Sequence, residues 1–343
     1  MKQLLNTLYI NNSDRYLSLN GETVTILENQ TVIGRVPLHN IESIVTFGYT
    51  GVSPALMGEC AKRNITINFM TSYGRFLARV TGKTNGNVCL RKEQYRISDD
   101  ESKSTEIAKN MIVGKIYNSK SVLERAKREY PERVDVQKLT ASTEHLKAIL
   151  KELSNAQNTE QLRGYEGEAA KFYFGVFDEL ILQNKEVFCF ENRNRRPPMD
   201  NVNAMLSFSY TLLTSMCESA LECVGLDSYV GFLHKDRSGR TSLALDLVEE
   251  FRSIYADRFV LKMINKRIFG ESDFKQKENG AVVFTEDARK EFLVQWQKKK
   301  EEKIKHPYLN ENVEWGMLPY VQALLLARYI RGDIDGYPPF LWK

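Results

Sequence analysis

The chain has 343 residues, 42% of them hydrophobic and 27% charged, with 48 Lys and Arg against 44 Asp and Glu and a formal net charge of +4. This composition, with a mean hydropathy of −0.40, excludes an acidic disordered chain and a histone-like basic tail. It leaves nucleic-acid binding open, because the placement of charge matters more than its sum.

The elements read in chain order. Tyr16-Leu17-Ser18-Leu19 alternates, Asn20-Gly21 supplies a type I′ turn pair, and Thr23 to Leu27 alternates again, so a hairpin is expected. Glu28-Asn29-Gln30 turns into a third strand, Thr31 to Val36, which Pro37 ends for want of an N–H. Ile41 to Phe47 is a further strand, Pro54 opens a short helix through Lys62, and Ile65 to Phe69 and Phe76 to Val80 are strands around a Ser72-Tyr73-Gly74 turn. From about Glu93 the apolar period lengthens to that of a helix. Met111, Ile112, Ile116, Tyr117, Leu123 and Ala126 share a face, and Pro131 breaks the run. Helices are then expected over 139–153, 164–182, 201–224, 242–268, 285–304 and 317–331, with Asp273 to Gly280 as an exposed loop. At about 150 residues per domain the length suits two domains. The pattern predicts an α+β chain: a small β-sandwich-like domain over 1–90, a linker over 91–100, and a larger all-helical domain over 101–343.

The longest uncharged stretches, Ser43–Gly58 and Asn201–Cys217, are too short and polar to cross a bilayer, so no membrane association is expected. The N-terminus lacks a small-residue cleavage site and reads as mature sequence. Five cysteines with no CxxC pair argue against a disulfide framework or zinc ribbon and for a reducing cytoplasm.

Charge is clustered. Lys62, Arg63, Arg75, Arg79, Lys83, Arg91, Lys92 and Arg96 face a single acid, Glu93, within their span. Such a stretch suits phosphate contacts that carry no base reading. Arg193, Arg195 and Arg196 form a second cluster, which either meets DNA or compensates buried acids. Lys298 to Lys300, with Lys303 and Lys305, reads as a solvated face.

No nucleotide-cradling glycine loop, HExxH or GxSxG is present. His234 closes an apolar run, Tyr229 to Leu233, ahead of a polar turn and a helix from Thr241. In that helix Asp246 and Glu249 are three residues apart on one face, among apolar neighbours and flanked by Arg252. Acids so placed need compensation by a divalent cation or a buried arginine. Glu166 lies among small residues in what reads as a first helical turn, where it could equally favour the helix N-terminus. By themselves, an Asp/Glu pair at this spacing is usually a solvated face and a histidine after an apolar run is usually structural, so spacing alone favours no metal site.

Four segments then carry a resemblance. RNRRPPMDNVNAMLSFSY, at 193–210, closely resembles the central motif of the CRISPR-associated integrase, the catalytic subunit of spacer acquisition. RGYEG at 163–167, GFLH at 231–234 and SLALDLVEEFR at 242–252 resemble its other motifs in the same order, and YPPFLWK at 337–343 is similar to the ending of the I-C subtype.

The resemblance implies a metal-dependent DNA integrase and endonuclease whose helical domain is catalytic and whose β domain serves dimer and DNA contacts. By position, the metal ligands fall on Glu166, His234 and Glu249, with Asp246 as the accompanying catalytic acid; Glu249 stands where many members have Asp. It further implies Mg²⁺ or Mn²⁺, double-stranded DNA with 3′ ends, CRISPR repeat DNA, a homodimer, and a small ferredoxin-like adaptation protein in a heterohexamer. A non-catalytic nucleic-acid scaffold with a structural His/acid cluster, or a helical adaptor, are the competing readings.

Overall fold

A computed structural model describes residues 7–10, 12–41, 43–63, 65–71, 76–80, 82, 88–194 and 197–342. The chain divides into two compact units, one holding residues up to 85 with 284–302 and 314–317, the other holding 86–283, 303–313 and 318–343.

In the first unit, β1 (Thr7–Ile10), β2 (Arg15–Asn20), β3 (Thr23–Glu28), β4 (Thr31–Pro37), β5 (Ser43–Phe47), β6 (Gly51–Val52), β7 (Thr66–Met70) and β8 (Phe76–Val80) build two four-stranded sheets, ordered β1-β5-β7-β8 and β4-β3-β2-β6. The β2-β3-β4 meander is antiparallel, while β1, β5 and β7 run parallel. The parallel pair β5 and β7 needs a crossover, which α1 (Pro54–Lys62) supplies; Ser53 caps it by accepting from the Leu56 N–H, and Pro54 sits in its first turn. Leu17 and Val24 of one sheet, Ile10, Ile44 and Ile67 of the other, and Leu56 and Cys60 of α1 share one buried core.

The strands fall where alternation puts them, but the turn types exchange places. Asn20 pairs with Thr23, so the first turn is Gly21-Glu22 and only Gly21 has positive φ, which suits type II′. The next turn, Asn29-Gln30, has both residues at positive φ and is the type I′ one. The expected Ser72-Tyr73-Gly74 turn lies outside the described residues.

The second unit is mainly helical. Its elements are α2 (Val88–Asp99), α3 (Glu101–Glu129), α4 (Val136–Glu152), α5 (Thr159–Gly175), α6 (Asn201–Val224), α7 (Ser242–Glu249), a π-helical turn over Arg252–Asp257, and α8 (Arg258–Asn265). α9 (Glu286–Glu301) belongs to the first unit, where Lys300 Nζ reaches Thr7 Oγ1 at 2.8 Å; α10 (Leu318–Ile330) returns to the second.

Several expectations need correction. Residues 91–100 are not an extended linker: α2 occupies Val88–Asp99, and Asp100 caps α3 by accepting from the Ser102 and Lys103 N–H groups. The second unit is not all-helical, because Phe274–Gln276 and Val282–Phe284 pair as β9 and β10, and Lys303–Lys305 and Asn312–Glu314 pair as β11 and β12. The 273–280 segment is therefore largely hairpin rather than free loop, turned by Gly280 at φ +77. The 164–182 helix starts earlier, at Thr159, where Asn158 caps it. The 242–268 helix is interrupted by the π turn.

α3 is the axis of this unit, packing against α4, α5, α7 and the π turn. A buried polar network ties the C-terminal residues to it. Asn118 of α3 donates to the Glu250 and Phe340 carbonyls at 2.7 and 2.8 Å, and its Oδ1 accepts from the Trp342 N–H at 2.8 Å. Glu250 accepts from the Phe340 N–H and from Gln322, each at 2.9 Å, and from the Tyr337 hydroxyl. Gly114, one turn away, has no room for a larger side chain without displacing Glu250 and Pro339, whose atoms stand 3.2 and 3.3 Å from where its Cβ would be.

Asn118→Ala would leave three buried backbone groups unpaired. It is expected to lower the unfolding free energy by at least about 2 kcal/mol and to expose residues 337–342 to limited proteolysis. An unchanged urea midpoint and cleavage pattern would contradict this account of the tail.

Candidate active site

Three helices of the second unit bring the acids together. α5 carries Glu166 in its eighth position, well inside the helix, so a role in complementing the helix N-terminus is ruled out; Glu160 occupies the first turn instead. α7 carries Glu249 at its end, with a side chain only 4% exposed. α3 supplies a cation between them: the Lys115 ammonium pairs with Glu166 Oε1 and stands 2.8 Å from Glu249 Oε2. On the other side, Arg252 Nη2 holds Glu249 Oε1 at 2.9 Å. Burial works against the Glu249 carboxylate, yet Arg252, Lys115 and His234 outweigh it and hold its pKa well below the ordinary carboxylate range.

His234 is aimed by Asp246. The Asp246 side chain is fully buried and accepts four hydrogen bonds: from the Phe232 and Leu233 N–H groups on Oδ2 at 2.7 and 2.9 Å, and from the His234 N–H at 3.0 Å and ring Nδ1 at 2.6 Å on Oδ1. Its acceptor capacity is thereby used. Asp246 fixes the 232–234 turn and the imidazole plane, leaving Nε2 as the ring atom free of this clamp. Gly231 permits the approach, since a Cβ there would lie 2.8 Å from Asp246 Oδ2. The His234 side chain is 27% exposed, and its charge bears weakly on Glu249.

The predicted trio thus converges in part. Glu166 and Glu249 meet on one cation, whereas His234 meets Asp246, one helical turn before Glu249 on α7. Among the described residues no three His, Cys, Asp or Glu side chains enclose a volume ready for an ion; Lys115 fills the space between the carboxylates instead. The donor set nevertheless fits a hard divalent cation: two carboxylates and one imidazole nitrogen. Glu249 Oε2 is a buried oxygen without a hydrogen bond, touched only by the ammonium charge.

A second layer supports Arg252. Two guanidiniums stand over the Tyr210 ring, Arg193 at 5.1 Å and Arg252 at 5.2 Å, and its hydroxyl donates to Asp257 Oδ1 at 2.6 Å. Arg193 also donates to Asn203 Oδ1 at 2.5 Å and to Ser207 Oγ at 3.1 Å. Asp200 caps α6 through the Asn203 N–H at 2.7 Å and is held by Asn194 and Asn203 side chains. The central motif is thus an N-terminal clasp on α6. Of the two readings of the 193–196 cluster, Arg193 takes the one in which it faces buried groups; Arg195 and Arg196 lie outside the described residues. In the 62–96 stretch, Arg63 is engaged by Glu22 and Glu59, and Arg96 by Glu93, so part of that charge is spent internally. Arg75 and Lys83 lie outside the described residues.

Lys115 and Asp257 were not expected. Lys115 had a signal, being a lysine in the apolar stripe of Met111, Ile112 and Ile116. Asp257 had none, because the π turn that points it at Tyr210 leaves no periodic mark. The five cysteines form no disulfide, and among the described residues no helix is long and apolar enough to cross a membrane.

Comparisons with known proteins bear on the family and the fold. A family model described as CRISPR associated protein Cas1 matches residues 8–298. A CRISPR-associated endonuclease Cas1 of Chlorobaculum tepidum is 47% identical over 343 residues, covering all of both chains. Another, of Rhodospirillum rubrum, is 46% identical over 347 residues, again covering both fully. Among solved structures, a casposase bound to integration product shares the fold with a TM-score of 0.84 at 24% identity, over 98% of this chain and 94% of that one. A Cas1 protein from Thermotoga maritima does so with a TM-score of 0.80 at 23% identity, over 95% of this chain and 97% of that one.

Burial pushes the Asp257 carboxyl up to about 6, although Tyr210 and the two guanidiniums pull it down. In the unfolded chain the group titrates near ~3.9. Between those values the folded chain keeps a proton the unfolded chain has released. Its contribution to stability is therefore greatest in acid and declines by on the order of 2–3 kcal/mol as pH rises from about 4 to about 6. Asp257→Asn should lack this slope. The test is the difference in unfolding free energy between wild type and variant at acid and neutral pH, and a difference independent of pH would contradict the assignment.

Proposed function

The chain belongs to the Cas1 family, and from that premise we propose that it is a metal-dependent DNA integrase and endonuclease that inserts captured DNA fragments into a CRISPR array. The observation that carries the reading is the convergence of Glu166 and Glu249 on one buried cation position, with His234 held by Asp246 of the helix that carries Glu249. The names of the full-length relatives, endonucleases at 46–47% identity, support it.

In this reading Glu166, His234 and Glu249 hold Mg²⁺ or Mn²⁺. Such an ion, when bound, stabilises the charge that develops on a phosphate under attack. The chain's own residues do the rest. Asp246 keeps the His234 Nδ1 side occupied, so that the ring presents Nε2. Arg252 fixes one oxygen of Glu249 and leaves the other turned toward Glu166. The reaction is an in-line displacement in which a DNA 3′-hydroxyl forms the new bond to phosphorus and the former 3′-oxygen leaves with the proton. With water in place of the hydroxyl, the same displacement is cleavage.

The remaining assignments rest on the resemblance of the motifs. We read the N-terminal unit as β-sandwich-like and as the surface for dimer and DNA contacts, and the chain as a homodimer. It would join a small ferredoxin-like adaptation protein in a heterohexamer, act on double-stranded DNA with 3′ ends and on CRISPR repeat DNA, and work in the cytoplasm. The Tyr337–Trp342 ending supports the I-C subtype.

A strand-transfer assay on a supercoiled plasmid bearing a repeat, with the adaptation protein and with Mg²⁺, Mn²⁺ or EDTA, tests the reading. Glu166→Gln, His234→Ala and Glu249→Gln should each lower strand joining by about two orders of magnitude or more, and Asp246→Asn by about 10–100-fold. Undiminished joining in EDTA or by His234→Ala would overturn the assignment. Salt-sensitive DNA binding without joining or cutting would favour a scaffold instead.

A further inference from the structure

Apart from Asp246, whose carboxylate is taken up by the 232–234 backbone and the His234 ring, the charges that meet at this site are balanced without any added ion. Glu166 and Glu249 bring two negative charges, and Lys115 and Arg252 bring two positive ones in direct contact with them. The two cations are held differently. Arg252 is pinned between Glu249 and the Tyr210 ring. Lys115, with a side chain only 10% exposed, has the two carboxylates as its ammonium partners, one from α5 and one from α7. Its flexible stem makes it a point charge that can swing, whereas a guanidinium stacked on a ring cannot.

Two acids drawn together out of water repel each other unless a cation lies between them. Lys115 fills that requirement and occupies the position that the same two acids would offer a divalent ion. An ion entering there must displace the ammonium. The site then carries an excess of about two positive charges, with Lys115 released beside it. An anion is needed to restore balance, and the ammonium is then free to donate to it.

Resting on the metal-centre reading above, we propose that Lys115 is an internal counter-cation that holds the ligand carboxylates together in the ion-free protein, competes with the divalent ion for them, and thereby makes ion binding depend on the arrival of a DNA phosphate. Binding couplings are reciprocal, so the ion tightens DNA by the same factor as DNA tightens the ion. The ion-loaded state is thus disfavoured until the phosphodiester is present.

The test measures Mn²⁺ affinity of the full chain by electron paramagnetic resonance of the free ion, with and without a short DNA duplex, for wild type, Lys115→Met and Glu249→Gln. Without DNA, Lys115→Met should bind Mn²⁺ about tenfold or more tightly than wild type. It should also melt at a lower temperature in EDTA and gain more from Mn²⁺. The duplex should tighten Mn²⁺ binding several-fold in wild type and little in Lys115→Met. If wild type binds Mn²⁺, Glu249→Gln does not, and Lys115→Met matches wild type or binds more weakly, this proposal falls while the metal centre stands. If neither wild type nor Lys115→Met binds Mn²⁺, the metal centre falls and the proposal with it. A measurement on wild type alone guards against a misfolded variant. Acetylation of Lys115, followed by mass spectrometry, should speed up several-fold on adding Mn²⁺ and duplex, and an unchanged rate would overturn the displacement.

Discussion

Taking the Glu249 carboxylate out of water costs several kcal/mol unless positive charge faces it. That constraint organises the second unit. α3 must run close enough to α7 to deliver Lys115, and the π turn must bring Arg252 back to the acid three residues before it. Tyr210 of α6 then has two guanidiniums against its ring, and Asp257 receives its hydroxyl. Glu249 is thus an acid around which four elements are arranged.

Neighbouring acids in one helical end serve different parts of the second unit. Glu249 turns toward Lys115 and Arg252, whereas Glu250 turns toward Gln322, Tyr337 and the Phe340 N–H. Burial raises the Glu250 carboxyl to about 7 even though those donors oppose the rise. The carboxylate at the site and the anchorage of the last residues therefore hang on one short stretch of backbone. His306, from a distant segment, completes the inner shell by meeting Gln322 at 3.0 Å.

Much of this was legible in the chain. Alternation located the strands of the meander, Pro54 after Ser53 marked α1, and the apolar period with Pro131 marked α3. Spacing marked Asp246, Glu249 and His234 only as candidates; it was the resemblance of the motifs that singled them out together with Glu166, and the contacts found are His234 with Asp246 and the two glutamates with Lys115. What escaped did so for physical reasons. The type of a two-residue turn depends on which residue takes positive φ, and Asn20-Gly21 and Asn29-Gln30 read alike in a pattern search. A π turn adds a residue without changing composition, so 242–268 reads as one helix. The partners of a buried acid come from other helices, so Lys115 and Asn118 could be seen as misplaced polar residues in an apolar stripe but not matched to Glu249 or Phe340.

The π turn over Arg252–Asp257 places one more residue per turn than an α-helix would hold. Deleting one residue from it would let an ordinary α-helix run through with α8 close to its present phase, because six π-helical residues and five α-helical ones sweep nearly the same angle. What such a deletion would move is the turn's own side chains: Arg252 could no longer meet Glu249 while Asp257 meets Tyr210. The extra residue thus serves the joint placement of those two groups rather than the seating of α8.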